Sequence, residues 1–210
     1  HISMAFVNTG DEVLIPDPGY PTYTSVTNLV GGIVKKYDLT EKNGWFPDLD
    51  ALEQSDLSRV KLMWINYPHM PTGTPGSLPR FEKLVAFSQK HGILLCNDNP
   101  YSFILNKEYH SLLEVDGAIE IALELNSLSK SHNMAGWRIG MVAGHSDYIK
   151  EVLKVKSNMD SGMFLAIQMA AIEALNNPET WYDTVNKTYY RRRKIVEEIM
   201  DIIDCRFDKS

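Results

Sequence analysis

Three short stretches hold residues that could do chemistry together. Asn126 to Gly140 reads NSLSKSHNMAGWRIG, which places Ser127 and Ser129 ahead of Lys130 and puts Arg138 in the same stretch. An apolar run precedes it and another, IGMVAG, follows the arginine, so these cations fall between two buried segments. NDNPY puts Asp98 at the end of the run ILLCND with Tyr101 just beyond, and DPGYP puts Tyr20 after VLIP. A carboxylate at the end of a buried strand is costly unless a cation meets it. A lysine beside hydroxyls and an arginine suggests a bound anion and a nucleophilic amine. A ligand with a protonated ring nitrogen, a phosphate and an aldehyde satisfies all of these groups at once, and pyridoxal phosphate is such a ligand.

The elements that must position these residues alternate between short apolar runs and helical patterns. This predicts an α/β fold with a mostly parallel sheet flanked by helices, in a three-layer α/β/α arrangement. Strands are expected at 13–16, in IVKKYDL, at 61–68, at 93–98, at the end of GAIEIALELNS and at 139–144. Helices are expected in PTYTSVTNLVGG, near Asp48, at 78–92 with Gly92 as its stop, at 146–156 and at 178–203. In open sheets of this kind ligands gather beyond the carboxyl ends of the strands, which is where all the candidate residues fall.

The ordered motifs carry a resemblance. P-x-Y-P at Pro18, D-x-x-Y at Asp98, S-x-S-K ending at Lys130 and G-W-R-I-G around Arg138 look like those of the fold-type I pyridoxal-phosphate enzymes, and more narrowly the class I/II aminotransferases related to aspartate aminotransferase. The resemblance implies a large cofactor-binding domain over 1–177, with the long helix of 178–210 leading to a small C-terminal domain beyond. It implies that Lys130 forms the Schiff base with pyridoxal phosphate and shuttles the proton at the substrate's α-carbon. Asp98 would pair with the ring nitrogen, Tyr101 would donate to the phenolic oxygen, and Tyr20 would stack on the ring. Ser127, Ser129 and Arg138 would hold the phosphate. The expected activity moves an amino group between an α-amino acid and a 2-oxo acid. A carbon–sulfur lyase on the same fold and a non-catalytic regulatory module are the alternatives.

The pattern departs from the family at one position: Met70 stands where N-P-T-G has its asparagine. Methionine cannot donate, and the loss of a hydrogen bond to a charged oxygen costs about 1.5–3 kcal/mol. His69 and Tyr101 are the neighbours that could compensate. The chain reads as a fragment, because the family's phosphate loop would precede His1 and its substrate-carboxylate arginine would follow Ser210. The fragment by itself is expected to be inactive, and the full protein to be a homodimer.

Bulk properties are consistent with a small-molecule enzyme. The net charge of -6 over 210 residues gives no electrostatic case for nucleic acid or an anionic membrane. The basic run YYRRRK at 189–194 reads as a solvated helix face. The apolar run at 163–175 is broken by Gln168 and Glu173, so no segment is expected to span a bilayer. Cys96 and Cys205 lie far apart, which suits a reducing cytoplasm. The six histidines show no metal-ligand spacing, so no metal site is expected. No dinucleotide-binding glycine motif follows a strand. The methionines and aromatics of 159–175 are expected to pack in a core.

Overall fold

A computed structural model describes residues 1–207 of the chain. Six strands form one sheet: β1 (Glu12–Asp17), β2 (Ile33–Asp38), β3 (Val60–Ile65), β4 (Leu94–Asp98), β5 (Ala122–Ser127) and β6 (Gly140–Gly144), in the order β2-β1-β3-β4-β5-β6. All neighbours pair in parallel except β5 and β6, which are antiparallel. The helices are α1 (Ile2–Phe6), α2 (Thr22–Leu29), α3 (Leu49–Glu53), α4 (Leu78–His91), α5 (Leu128–Ser131), α6 (Ser146–Met159), α7 (Leu165–Leu175) and α8 (Thr180–Ile202).

The inner strands are buried on both faces, which is why they read as unbroken apolar runs rather than alternating ones. Leu14, Met63, Ile65 and Leu95 face α4, whose Phe81, Leu84 and Val85 complete that layer with Leu52 of α3. Val13, Ile15, Leu62, Trp64 and Cys96 face the other way, toward Ile2 of α1, Tyr23 of α2 and Val152 of α6. The outcome is a three-layer α/β/α body. The edge strand β2 exposes Lys36, which pairs with Asp17 at 2.8 Å, the kind of charge that discourages edge-to-edge pairing. The amphipathic helix α4 starts with proline in its first turn and stops at Gly92, whose φ of 64° is the left-handed C-cap conformation.

The sheet opens where ligands are expected. β1 pairs with β2 along its whole length, but its pairing with β3 ends at Leu14↔Met63. Two residues later Pro16 has no N–H to offer a ladder. The carbonyl of Trp64 accepts instead from the Tyr37 hydroxyl at 2.7 Å. The chain order also reverses here: β1 leads leftward to β2 through α2, while β3 leads rightward to β4 through α4 on the opposite face. A crevice at the carboxyl ends of β1 and β3 follows from that reversal.

Two elements differ from the sequence-based expectation. The apolar residues of 159–175 do not form a core: Phe164 is 71% exposed, Leu165 66% and Leu175 63%. α7 packs through Ala170, Ala171 and Ala174 onto Leu128 and Met134, and turns its larger side chains outward. Ile2–Phe6, to which the sequence reading assigns no element, form α1. Among the described residues no helix is long and apolar enough to cross a membrane.

Candidate active site

The four loops leaving the carboxyl ends of β1, β3, β4 and β5 surround a cavity of about 290 Å³. Its walls include Tyr20 and Tyr23 after β1, Asn66 and Met70 after β3, Asp98 and Tyr101 at and after β4, and Ser127, Ser129, Lys130 and Arg138 after β5. The structure therefore brings all seven residues singled out from the sequence, Tyr20, Asp98, Tyr101, Ser127, Ser129, Lys130 and Arg138, to one place. A larger surface groove of about 630 Å³ lies between Phe46 and Lys90. It is lined by none of them.

Asp98 ends β4, and the carboxyl group accepts from the Tyr23 hydroxyl at 2.8 Å. Burial holds this carboxyl above the usual carboxylate range, and the Tyr23 bond offsets the shift only in part. Among the described residues no cation pairs with it. An acid so placed favours a ligand that brings a positive charge. Tyr23 itself is locked: its ring stacks on Trp64 at 5.0 Å between centroids and meets Tyr20 edge-on at 5.8 Å. Burial, and then the neighbouring Asp98, raise the Tyr23 phenol, which keeps it a donor. Tyr101 is raised for the same two reasons in the same order.

Lys130 sits in the last turn of the short helix α5, whose N-cap is Ser127. Its Nζ lies 6.0 Å from the centroid of the Tyr101 ring, and among the described residues no ion pair engages it. Ser127 Oγ accepts from the Ser129 amide at 3.1 Å and donates to Ser129 Oγ at 2.8 Å, so the two hydroxyls form one cluster. Arg138 ends the turn 135–137 with a φ of 54° and donates from Nη1 to the Ala135 carbonyl at 2.8 Å. A side-chain-bearing residue in a sparsely populated backbone region costs about 1–3 kcal/mol, and such strain concentrates at ligand clamps. Gly140 opens β6 because a Cβ there would lie 2.6 Å from the Asn126 carbonyl oxygen.

Two lining residues with polar side chains, Asn66 and Tyr23, escape the sequence reading. Asn66 is the first polar residue beyond β3, so the strand-end rule points to it directly. Its amide donates to the Asp98 carbonyl, and its oxygen accepts from the Met70 amide at 2.8 Å. Tyr23 carries a weaker signal, a second tyrosine one helical turn after Tyr20. His69, named above as able to compensate for Met70, does not line this cavity. It borders the adjoining one of about 280 Å³, and its Nδ1 is engaged with Thr72 Oγ1 at 2.8 Å.

A mostly parallel sheet, helices on both faces and a polar cavity at the switch of strand order define an open α/β domain with a candidate small-molecule site at its carboxyl edge. The chain matches the family model for aminotransferase class I and II over residues 1–207. It belongs to that family. It is 46% identical to LL-diaminopimelate aminotransferase 2 of Trichormus variabilis, over 92% of this chain and 50% of that protein. It is 42% identical to the LL-diaminopimelate aminotransferase of Desulforudis audaxviator, over 100% of this chain and 54% of that one. Among solved structures, substrate-bound BacF from Bacillus subtilis matches with a TM-score of 0.90 and 32% identity, over 95% of this chain and 51% of that chain. A probable N-succinyldiaminopimelate aminotransferase from Thermus thermophilus matches with a TM-score of 0.89 and 29% identity, over 96% of this chain and 54% of that chain. The chain spans about half the length of the curated relatives it matches.

Proposed function

We propose that the protein containing this chain is a pyridoxal-phosphate-dependent aminotransferase that moves an amino group between an α-amino acid and a 2-oxo acid. The observation that carries this reading is one cavity holding an amine, Lys130, and a half-buried carboxyl, Asp98, that pairs with no cation among the described residues, beside the Ser127, Ser129 and Arg138 cluster. The donor set fits the cofactor: an acid for its ring nitrogen, phenols for its oxygen and ring face, and hydroxyls with a guanidinium for its phosphate.

When bound, the cofactor supplies an aldehyde for the amino group and a ring that accepts electrons from the substrate's α-carbon. The remaining work belongs to side chains. Lys130 Nζ would tether the cofactor and, once displaced by the substrate's amino group, would be free to move the proton at the substrate's α-carbon. Asp98 would hold the proton on the ring nitrogen, and Tyr23 holds Asp98. Tyr101 would donate to the phenolic oxygen, and Tyr20 would cover one face of the ring. Arg138 offers a planar fork to two phosphate oxygens, with Ser127 and Ser129 beside it.

The names of the relatives support a diamino dicarboxylic acid, LL-diaminopimelate, as the amino acid partner. Residues 1–177 would form the cofactor-binding domain, and α8 would lead to a further small domain. The outward apolar side chains of α7, together with Ile195, Val196 and Ile199 of α8, support cover by that domain or by a second copy in a homodimer. Two unpaired thiols, Cys96 and Cys205, support a reducing, cytoplasmic setting.

The test is to incubate the full-length protein with pyridoxal phosphate, reduce with borohydride and map the label. Label on Lys130 is expected; label on another lysine overturns the assignment. Product formation from the amino acid should require the 2-oxo acid, and ammonia released without an acceptor would indicate elimination instead.

A further inference from the structure

We infer that Glu124 is a positioning residue for the cofactor site, acting from the opposite face of the sheet. It stands on β5 directly across from Asn97 of β4, while Asp98 stands across from Leu125. Because side chains alternate along a strand, Glu124, Asn97 and Asn99 project to one face and Asp98 to the other. Glu124 is 8% exposed and Asn97 is fully buried.

Three N–H groups converge on the Glu124 carboxyl. Asn97 Nδ2 reaches Oε2 at 3.1 Å, the Leu112 amide reaches Oε2 at 2.6 Å, and Asn99 Nδ2 reaches Oε1 at 3.2 Å. The residues on either side of Asp98 are thus tied to a single group. Each tie continues into the cavity wall. Asn97 Oδ1 accepts from the Tyr67 amide at 3.1 Å, next to Asn66. Asn99 Oδ1 accepts from Ser102 Oγ at 2.6 Å, next to Tyr101. The Asn99 carbonyl accepts from Asn126 Nδ2 at 2.9 Å, beside Ser127. Three of the four strand ends that build the cavity are therefore linked to this carboxyl through Asn97 and Asn99.

A carboxylate presents acceptors on both oxygens, which is what three donors require. Glutamine keeps the shape but turns a donor toward donors, so one of the ties must break. An apolar residue here would leave three donors without their acceptor. The polar network costs burial and yields a fixed direction for Asp98 and Tyr101, the pattern expected where a site must be held within fractions of an ångström.

This inference rests on the cofactor reading above, and the experiment separates the two. The full-length protein and its Glu124→Gln, Asn99→Ala and Asp98→Asn variants are titrated with pyridoxal phosphate, followed by absorbance and tyrosine–tryptophan fluorescence. Circular dichroism and melting temperature are recorded alongside. Glu124→Gln, while folded, is expected to bind about tenfold more weakly, the scale of one lost hydrogen bond to a charged group. Asn99→Ala should fall between it and the unsubstituted protein. Both variants should shift the pH at which the bound cofactor's absorbance changes, a readout that a role in packing alone would leave in place. Unchanged affinity and an unchanged absorbance profile in folded Glu124→Gln overturn the inference. If that variant does not fold, the same result in Asn99→Ala overturns it. If the unsubstituted protein does not bind the cofactor, or Asp98→Asn binds it equally well, the failure lies with the cofactor reading.

Discussion

The Tyr23 hydroxyl donates to Asp98 Oδ2 at 2.8 Å across 75 residues of sequence, linking the start of α2 to the end of β4. It joins the two strand ends on either side of β3, and so spans the crevice where the sheet order reverses. Tyr23→Phe keeps the stack on Trp64 and removes the donor. A hydrogen bond to a charged group is worth about 1.5–3 kcal/mol, so pyridoxal phosphate should bind roughly ten- to a hundredfold more weakly. A fluorescence titration checks this, and equal affinity would place the tyrosine in a packing role.

Asp98 should also make the cofactor-free protein less stable at neutral pH. Its carboxyl is raised by burial. A raised acid contributes stability that is fully present below its unfolded value of about 3.9 and is lost as pH rises through the folded value. Without cofactor, Asp98→Asn should therefore melt higher than the unsubstituted protein at pH 7, and the gap should close on acidification toward about pH 4. The same variant should bind the cofactor more weakly. Melting curves across pH decide the matter: identical curves at neutral pH refute the burial cost.

Met70 lines the cavity where the family pattern has a hydrogen-bond donor. Asn66 is bonded to it in the wall, but its oxygen is taken by the Met70 amide and its NH₂ donates to the Asp98 carbonyl. Met70→Asn adds a donor at the cavity wall and should tighten pyridoxal phosphate by about tenfold. Weaker binding would show that the site is built around the thioether. Equilibrium dialysis of the two proteins gives the comparison.

His132 follows the lysine helix and is held by α8. Its Nδ1 bonds Ser131 Oγ at 2.8 Å and its ring stacks on Trp181 at 6.2 Å, while the Trp181 indole donates to the Ser131 carbonyl at 3.0 Å. Burial lowers the His132 pKa. The stability from a lowered base is present above its unfolded value of about 6.5 and is lost as pH falls through the folded one. His132→Phe keeps the stack and removes the titration, so the variant should lose less melting temperature between pH 7.5 and about pH 5 than the unsubstituted protein. Equal losses would assign the acid sensitivity elsewhere, for example to His69, whose pKa burial also lowers.

Much of this is visible in the sequence, for physical reasons. Parallel strands buried on both faces leave unbroken apolar runs, and the polar residues ending those runs face one edge, so the strand-end rule collects the seven candidates and extends to Asn66. The Tyr23–Asp98 and Glu124–Asn97 contacts join separate elements, and nothing local marks them. β6 reads as any strand, since its antiparallel direction depends on how residues 128–139 turn back. The apolar face of α7 reads as core because composition measures greasiness and not which side is covered.

The reversed direction of β6 has one consequence for how the site comes together. Ser127 and Gly140 are cross-strand partners, so the segment from Leu128 to Ile139 is a closed local hairpin carrying both Lys130 and Arg138. The amine and the guanidinium proposed to hold the cofactor thus belong to one local unit, whose closure entropy is that of a short loop. The aromatic and acidic half of the cavity has to be gathered from strands far apart in the chain, and it is there that remote substitutions should weaken the proposed cofactor site first.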